Sequence, residues 1–259
     1  MIVSMKKILF KLLSQKAYLR TLHRAFYFLY DLGFLKRDAR FKYHYLVKDL
    51  IESDYSVVDI GANLGYFSRN FARLTPKGRV LSIEPVKPFY EVLAKFMKRY
   101  DHATIINCAL GQEEGTITMV LPETNGMIRT GLPHIAESEE EKAQHKTHDV
   151  PVHKGSLLLG KLEKIDYIKC DIEGYEAVVF QEIKPVIEKQ LPIVQIEIDQ
   201  RNTETMLQYF KDLGYIQYGV ANFKIIQENG DQKEQGDYLF VHKDKQVSFE
   251  KRMKACGRM

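Results

Sequence analysis

Two groups of residues in this 259-residue chain have types and spacings that could do chemistry. The first is Asp59-Ile60-Gly61-Ala62-Asn63-Leu64-Gly65-Tyr66-Phe67, followed 25 residues after Asp59 by Glu84. An apolar strand-like run ends in the glycines and a helix-like run follows them. Glycines at such a turn let the backbone pass close to a ligand and adopt dihedrals closed to other residues. Glu84 ends the next strand-like run, where a carboxylate can accept hydrogen bonds from both hydroxyls of a ribose. The second group, Asp171, Glu173 and Glu176, crowds the point where another strand gives way to a helix, and Glu197 and Asp199 end the strand after it.

The first group excludes the commoner nucleotide sites. A dinucleotide fold needs Gly-x-Gly-x-x-Gly, with backbone N–H groups facing a pyrophosphate. Here the spacing is Gly-x-x-x-Gly with Asn63 inside it, and no Lys or Ser/Thr completes a phosphate loop. Asp59, Glu84 and Asp171 at successive strand ends suit a nucleoside that is cationic and carries no phosphate. S-adenosylmethionine (SAM), with its positive sulfonium, fits that description. The second group suits methyl transfer, an in-line displacement in which alignment can supply about 7–11 kcal/mol of the barrier. A hydroxyl nucleophile also gains from a base within hydrogen-bond reach. Asp171 is the candidate base, with Glu197 as a second catalytic carboxylate at the acceptor pocket. Glu173 and Glu176 read as helix N-terminal carboxylates. Asp171, Glu197 and Asp199 could instead hold a hard divalent cation; His134, His145, His148 and His153 read as solvated loop residues, and no metal is expected.

These groups need a sheet to position them. Strands are expected at 55–60, 79–84, 103–110, 165–171 and 193–198, with 116–121 as an extra one. Helices are expected between them at 66–74, 88–100, 174–189 and 203–213. The runs 215–220, 223–226 and 238–241 close the chain. This order predicts an α/β fold: a doubly wound, Rossmann-like sheet, mostly parallel, with an antiparallel C-terminal strand. Residues 122–150 lack a period and read as an insertion, of the kind that forms lids or binding loops. The expected organisation is an N-terminal helical extension over 1–52, a catalytic domain over 53–243 and a basic tail over 244–259.

The net charge of +4 conceals an asymmetry: residues 1–48 carry +9 and the remainder −5. Residues 5–32 read as a helix with an apolar stripe of Ile8, Leu12, Leu19, Leu22, Phe26 and Leu29. Six Lys and Arg fall between positions 6 and 24 with no acid among them. A basic amphipathic helix of this kind predicts peripheral contact of residues 1–32 with an anionic surface, such as the inner face of a membrane. The three cysteines are too few and scattered for a disulfide framework or zinc site, which fits a reducing cytoplasm. No signal peptide and no apolar run long enough to span a bilayer are evident.

The motif segments resemble the FkbM-type family of SAM-dependent methyltransferases over about 55–241. They are Val57 to Phe67, Ile83-Glu84-Pro85, Asn107-Cys108-Ala109-Leu110-Gly111 and, most specific, Ile165-Asp166-Tyr167-Ile168-Lys169-Cys170-Asp171-Ile172-Glu173-Gly174-Tyr175-Glu176. The resemblance implies a class I fold, SAM as methyl donor, and O-methylation of a hydroxyl on a small molecule, sugar or related metabolite. It implies that Asp59, Gly61, Asn63 and Gly65 frame the methionine end of SAM and that Glu84 holds the ribose. Asn107 and Ala109 would lie near the adenine, with Asp171 facing the methyl. A Leu-Asp pair common before the family's fourth strand has no counterpart in His153-Lys154-Gly155-Ser156-Leu157-Leu158. The expected partner is a small-molecule or glycan acceptor. An RNA or DNA methyltransferase is disfavoured, because Asp171-Ile172-Glu173-Gly174 is not the Asn/Asp-Pro-Pro-aromatic motif of enzymes that methylate exocyclic amines. A non-catalytic protein of the same fold, docking through residues 1–48, is disfavoured by the intact glycine turn and Glu84.

Overall fold

The structure is a computed structural model; it describes residues 13–124, 127–128, 130, 133–136, 138–228 and 237–259. Its centre is an eight-stranded sheet. Five strands run parallel: β1 (Ser56–Ile60), β2 (Arg79–Ile83), β3 (Ala103–Ile106), β10 (Tyr167–Cys170) and β11 (Ile193–Glu197). Spatially they stand in the order β3-β2-β1-β10-β11, followed by β14 (Asp237–His242), β12 (Tyr215–Ala221) and β13 (Lys224–Gln227). β14 is antiparallel to both neighbours, β11 and β12.

Both faces of the sheet are covered, so the central strands are apolar at successive positions rather than at alternate ones. Val58, Leu81, Ile168, Val194 and Phe240 point into one core, with Val179 and Phe180 of α7 (Glu176–Glu182), Val186 and Ile187 of α8 (Lys184–Gln190), and Met206 and Phe210 of α9 (Thr203–Asp212). Val57, Val80, Tyr167, Ile193 and Leu239 point into the other. They meet Leu46 and Leu50 of α2 (Lys42–Leu50), Phe71 of α3 (Ser68–Leu74), and Leu93 and Met97 of α4 (Lys87–Met97). The expected doubly wound, Rossmann-like α/β sheet with an antiparallel C-terminal strand is the architecture found.

A second, four-stranded sheet lies beside the first: β4 (Ala109–Gly111), β9 (Lys146–Lys154), β5 (Gly115–Leu121) and β8 (His134–Ile135), in that order. Part of the aperiodic stretch 122–150 is thus built into strands, with a short hairpin of β6 (Glu123–Thr124) and β7 (Met127–Ile128) and the helix α5 (Glu139–Gln144). The short helix α6 (Gly155–Leu159) leads from β9 toward β10. Within the stretch lacking the Leu-Asp pair, Ser156 bonds Glu182: its N–H and hydroxyl both donate to that carboxylate, at 2.8 and 2.5 Å.

Of the helix expected over 5–32, residues 1–12 lie outside the described residues. The rest forms α1 (Gln15–Asp31), with Ser14 as N-cap. Its buried face is Tyr18, Leu19, His23 and Tyr27, packed largely against α4 and the glycine turn. Leu22 and Phe26 of the anticipated stripe are half-buried, while Leu29 is exposed. At the far end, α10 (Lys243–Ala255) buries Phe249 and Met253 in the core. Arg252 of this helix pairs with Glu52 at 2.5 Å, and Arg258 beyond it pairs with Asp49 at 2.8 Å.

Candidate active site

The parallel strands end on one edge of the sheet, and the turn after β1 shapes the site there. Gly61 has φ +75°, and a Cβ on it would stand 1.9 Å from the Asp171 carbonyl oxygen at the end of β10. The two strand ends can approach this closely only because residue 61 has no side chain. Asn63 and Gly65 continue the turn at φ +53° and +88°. The N–H groups of Gly61 and Ala62 both donate to the Ile83 carbonyl at 3.0 Å, fastening the turn to the end of β2.

α1 fastens the same turn from outside. His23 Nδ1 lies 2.8 Å from the Leu64 carbonyl, which can only accept, so Nδ1 carries the proton. Burial pushes this imidazole down to about 4, keeping it neutral. The Tyr27 hydroxyl donates to the Tyr66 carbonyl at 2.8 Å and lies 3.2 Å from that of Gly65.

Between the two sheets is a cleft with about 680 Å³ of open space. Its polar end is formed by Gly61, Asn63, Glu84, Asp171 and Glu173; the remainder is largely apolar, including Ile83, Val86, Phe89, Leu110, Ile117 and Met119. Glu84 is 4% exposed. Its Oε2 accepts from the Asn63 N–H at 2.7 Å and its Oε1 from the Val86 N–H at 2.8 Å. Both oxygens are therefore held in fixed positions with lone pairs to spare. Burial pushes its carboxyl up to about 7, against the two N–H bonds that pull it down.

Of the residues expected to serve SAM, the cleft collects Gly61, Asn63, Glu84 and Ala109. Asp59, Gly65 and Asn107 stand behind it. Asp59 is fully buried, with Oδ2 accepting from the Ser68 hydroxyl at 2.5 Å. Burial raises its carboxyl, opposed by Lys169 and that hydroxyl. The Asn107 amide donates to the carbonyls of Glu84 and Pro85, both at 2.8 Å, fixing the chain beside the ribose candidate.

Of the two expected catalytic carboxylates, Asp171 lines the cleft and Glu197 does not. Glu197 ends β11 on its exposed side, and partial desolvation, then Asp171, push it up to about 7. Glu173 sits at the cleft mouth in the left-handed region, φ +50°. Desolvation, then Asp171 and Glu197, push it up to about 8. Glu176 is buried and caps its own turn, accepting from the Gly174 N–H at 2.8 Å. Among the residues that could hold a cation, Asp199 pairs with Arg201 at 3.0 Å, His134 with Glu141 at 2.7 Å and His153 with Glu114 at 2.6 Å.

Lys169 was given no role on sequence grounds. It is 3% exposed in the middle of β10. Its Nζ lies 3.2 Å from Asp171 Oδ2, 3.9 Å from Asp59 Oδ1 and 3.4 Å from the Gly61 carbonyl. Burial works against this charge, but Asp171, Asp59 and Asp237 outweigh it and hold the ammonium above the usual lysine range. The signal in the sequence was a cation inside an apolar strand buried on both faces, where an unpaired Lys is rarely tolerated.

A parallel sheet in this order, with a glycine turn after the first strand and a carboxylate ending the second, defines a class I methyltransferase. Residues 59–216, more than half of the chain, match the methyltransferase FkbM domain, and the chain belongs to that family. Methyltransferase sdnD of Sordaria araneosa is 27% identical over 158 residues, which cover 51% of this chain and 61% of the relative. Methyltransferase 1 of Beauveria bassiana (strain ARSEF 2860) is 24% identical over 139 residues, 48% of this chain and 56% of that one. Methyltransferase FkbM from Methylobacillus flagellatus KT shares the fold, with a TM-score of 0.51 at 16% identity over 74% of this chain and 44% of its own. The chain thus matches about three fifths of the length of the two curated relatives.

The methyl donor implied by this family is SAM, and the cleft fits it. Glu84 offers two anchored oxygens for a ribose diol, the apolar slot suits an adenine, and the acids at the polar end suit a sulfonium. Behind the turn, Asp59 Oδ1 is buried without a hydrogen-bond donor and faces the Lys169 ammonium at 3.9 Å.

Proposed function

We propose that this methyltransferase transfers the methyl group of SAM to a hydroxyl oxygen on a small molecule, sugar or lipid-linked glycan. The observation that carries this reading is the set of carboxylates at the ends of β10 and β11. Asp171 and Glu173 line the cleft and Glu197 stands beside them. When bound, SAM supplies an electrophilic methyl; the chain must supply alignment and a destination for the hydroxyl proton. Our candidate to accept that proton is Asp171 at the polar end of the cleft, with Glu197 as its electrostatic neighbour outside the lining. The described residues lining the cleft include no Lys or Arg to meet phosphates, which argues against a nucleic-acid acceptor.

The test is to incubate the protein and SAM carrying a 13C methyl with fractionated metabolite extracts, and to read the product by carbon–proton correlation NMR. A methoxy resonance that requires the protein is expected. A labelled N-methyl or C-methyl product would overturn the assignment to oxygen.

A further inference from the structure

We propose that Phe28, Leu32 and Phe34 form a docking surface for an anionic lipid bilayer. They are 66%, 57% and 66% exposed, and Leu29 beside them is 38% exposed. The other exposed large apolar residues among those described, Leu157, Ile226 and Val247, are scattered along the chain. Phe28 and Leu32 stand one turn apart at the end of α1, and Gly33, at φ +75°, folds the chain back so that Phe34 opens the next helical turn (Phe34–Arg37). A cluster of this kind on an otherwise polar surface marks an interaction site.

The surrounding charge selects the partner. The only acids between residues 13 and 48 are Asp31 and Asp38. Both are matched, Asp31 by Arg73 at 3.0 Å and Asp38 by Arg40 at 2.6 Å. Arg24, one turn before Phe28, and Lys36 and Arg37, just after Phe34, have no carboxylate partner among the described residues; Arg24 and Lys36 rest over the rings of Phe96 and Tyr45. Aromatic and leucine side chains edged by unmatched cations suit the boundary between acyl chains and anionic headgroups. This surface differs from the stripe expected from sequence, because Leu19, Leu22 and Phe26 turn toward the body of the protein. It lies on the helix whose inner face holds the Leu64–Tyr66 carbonyls, so a docked α1 would fix the orientation of the cofactor turn to the bilayer.

The experiment is co-sedimentation of the full chain with vesicles of phosphatidylcholine alone, and of phosphatidylcholine containing phosphatidylglycerol, at low and high salt. Wild type is expected in the pellet only with anionic vesicles at low salt. The triple variant F28S/L32S/F34S is expected to lose at least about tenfold in partitioning, while circular dichroism and SAM binding stay as in wild type. Lys36→Glu combined with Arg37→Glu should weaken binding without touching the apolar surface. Wild type remaining in the supernatant overturns the proposal. So does a triple variant that sediments as wild type, since residues 1–12 would then suffice. A wild-type dimer that the triple variant converts to monomer overturns it too, by making a second copy of the chain the occupant.

Discussion

The Lys169 ammonium stands 3.2 Å from one carboxylate oxygen of Asp171, and so joins the cleft to the buried acid near the end of β1, Asp59, 3.9 Å away. One cation thereby holds the ends of two adjacent strands and leaves the wall of the cleft acidic. Lys169→Met should cost about 3–5 kcal/mol of stability, the usual penalty for leaving a buried charge without its partner. Urea denaturation measures this directly; a loss under about 1 kcal/mol would mean that Asp59 is not held ionised by Lys169.

Glu84→Ala should weaken SAM at least tenfold in calorimetry, with the fold intact by circular dichroism. The expected ribose contact would comprise two charge-assisted hydrogen bonds, each worth about 1.5–3 kcal/mol, and the variant removes both. The variant also strips the acceptors from the Asn63 and Val86 N–H groups, so Glu84→Gln, which keeps one oxygen, should fall between the two. Unchanged affinity in both would remove Glu84 from the ribose.

Asp171→Asn should slow methyl transfer far more than it weakens SAM. Single-turnover rates with the acceptor found by NMR, set beside calorimetric affinity, separate the two effects. Equal losses would make Asp171 a positioning residue.

Stability should fall as pH rises from about 6.5 to 8. Glu173 ionises near the ordinary carboxylate range when unfolded and near 8 when folded, so between these values the native state keeps a proton that the unfolded state has released. Raising the pH through that window therefore favours unfolding. His23 and His44, held neutral by burial at about 4 and about 3, act in the opposite sense but only below about 6.5. Glu173→Gln should flatten the decline in urea midpoint between pH 6.5 and 8; an unchanged slope would show that Glu173 titrates as an ordinary surface acid.

Tyr27→Phe should cost about 1–3 kcal/mol, because the Tyr66 and Gly65 carbonyls lose a buried donor. SAM affinity should drop with it, since those carbonyls belong to the glycine turn expected to frame SAM. Loss of stability with full affinity would restrict α1 to packing.

The parts of the fold legible in the sequence were those where one local rule acted alone. Val57-Val58, Val80-Leu81 and Ile193-Val194 are apolar on both faces and flanked by turn residues, and each became a central parallel strand. The run 103–110 reads as one strand, but the Asn107 amide reaches back to the Glu84 and Pro85 carbonyls, and Ala109–Gly111 pairs with β9 in the second sheet. β9 was hidden because Lys146, His148, Asp149 and Pro151 interrupt any alternation, leaving Val150 and Val152 as its buried residues. The helix expected over 174–189 breaks after Glu182, and its second half restarts with Pro185 in the first turn, where no N–H is needed. Of the site, the turn and Glu84 follow from glycine and carboxylate spacing. The clamp of His23 and Tyr27 and the pairing of Lys169 with Asp59 depend on contacts between residues about 40 to 110 positions apart, which no local pattern encodes.

The position of β14 bears on how the molecule is made. It inserts between β11 and β12, yet it comes from residues 237–242, outside the segment 59–216 that matches the family. During synthesis the β11 strand must wait, one side unpaired, while more than thirty further residues are added. Its apolar run Ile193-Val194-Gln195-Ile196 is for that interval an open edge, the kind of surface on which nascent chains pair with the wrong neighbour. A chain that stops short of Asp237 would leave that edge permanently open, and should be found with chaperones and in inclusion bodies rather than as a smaller working enzyme.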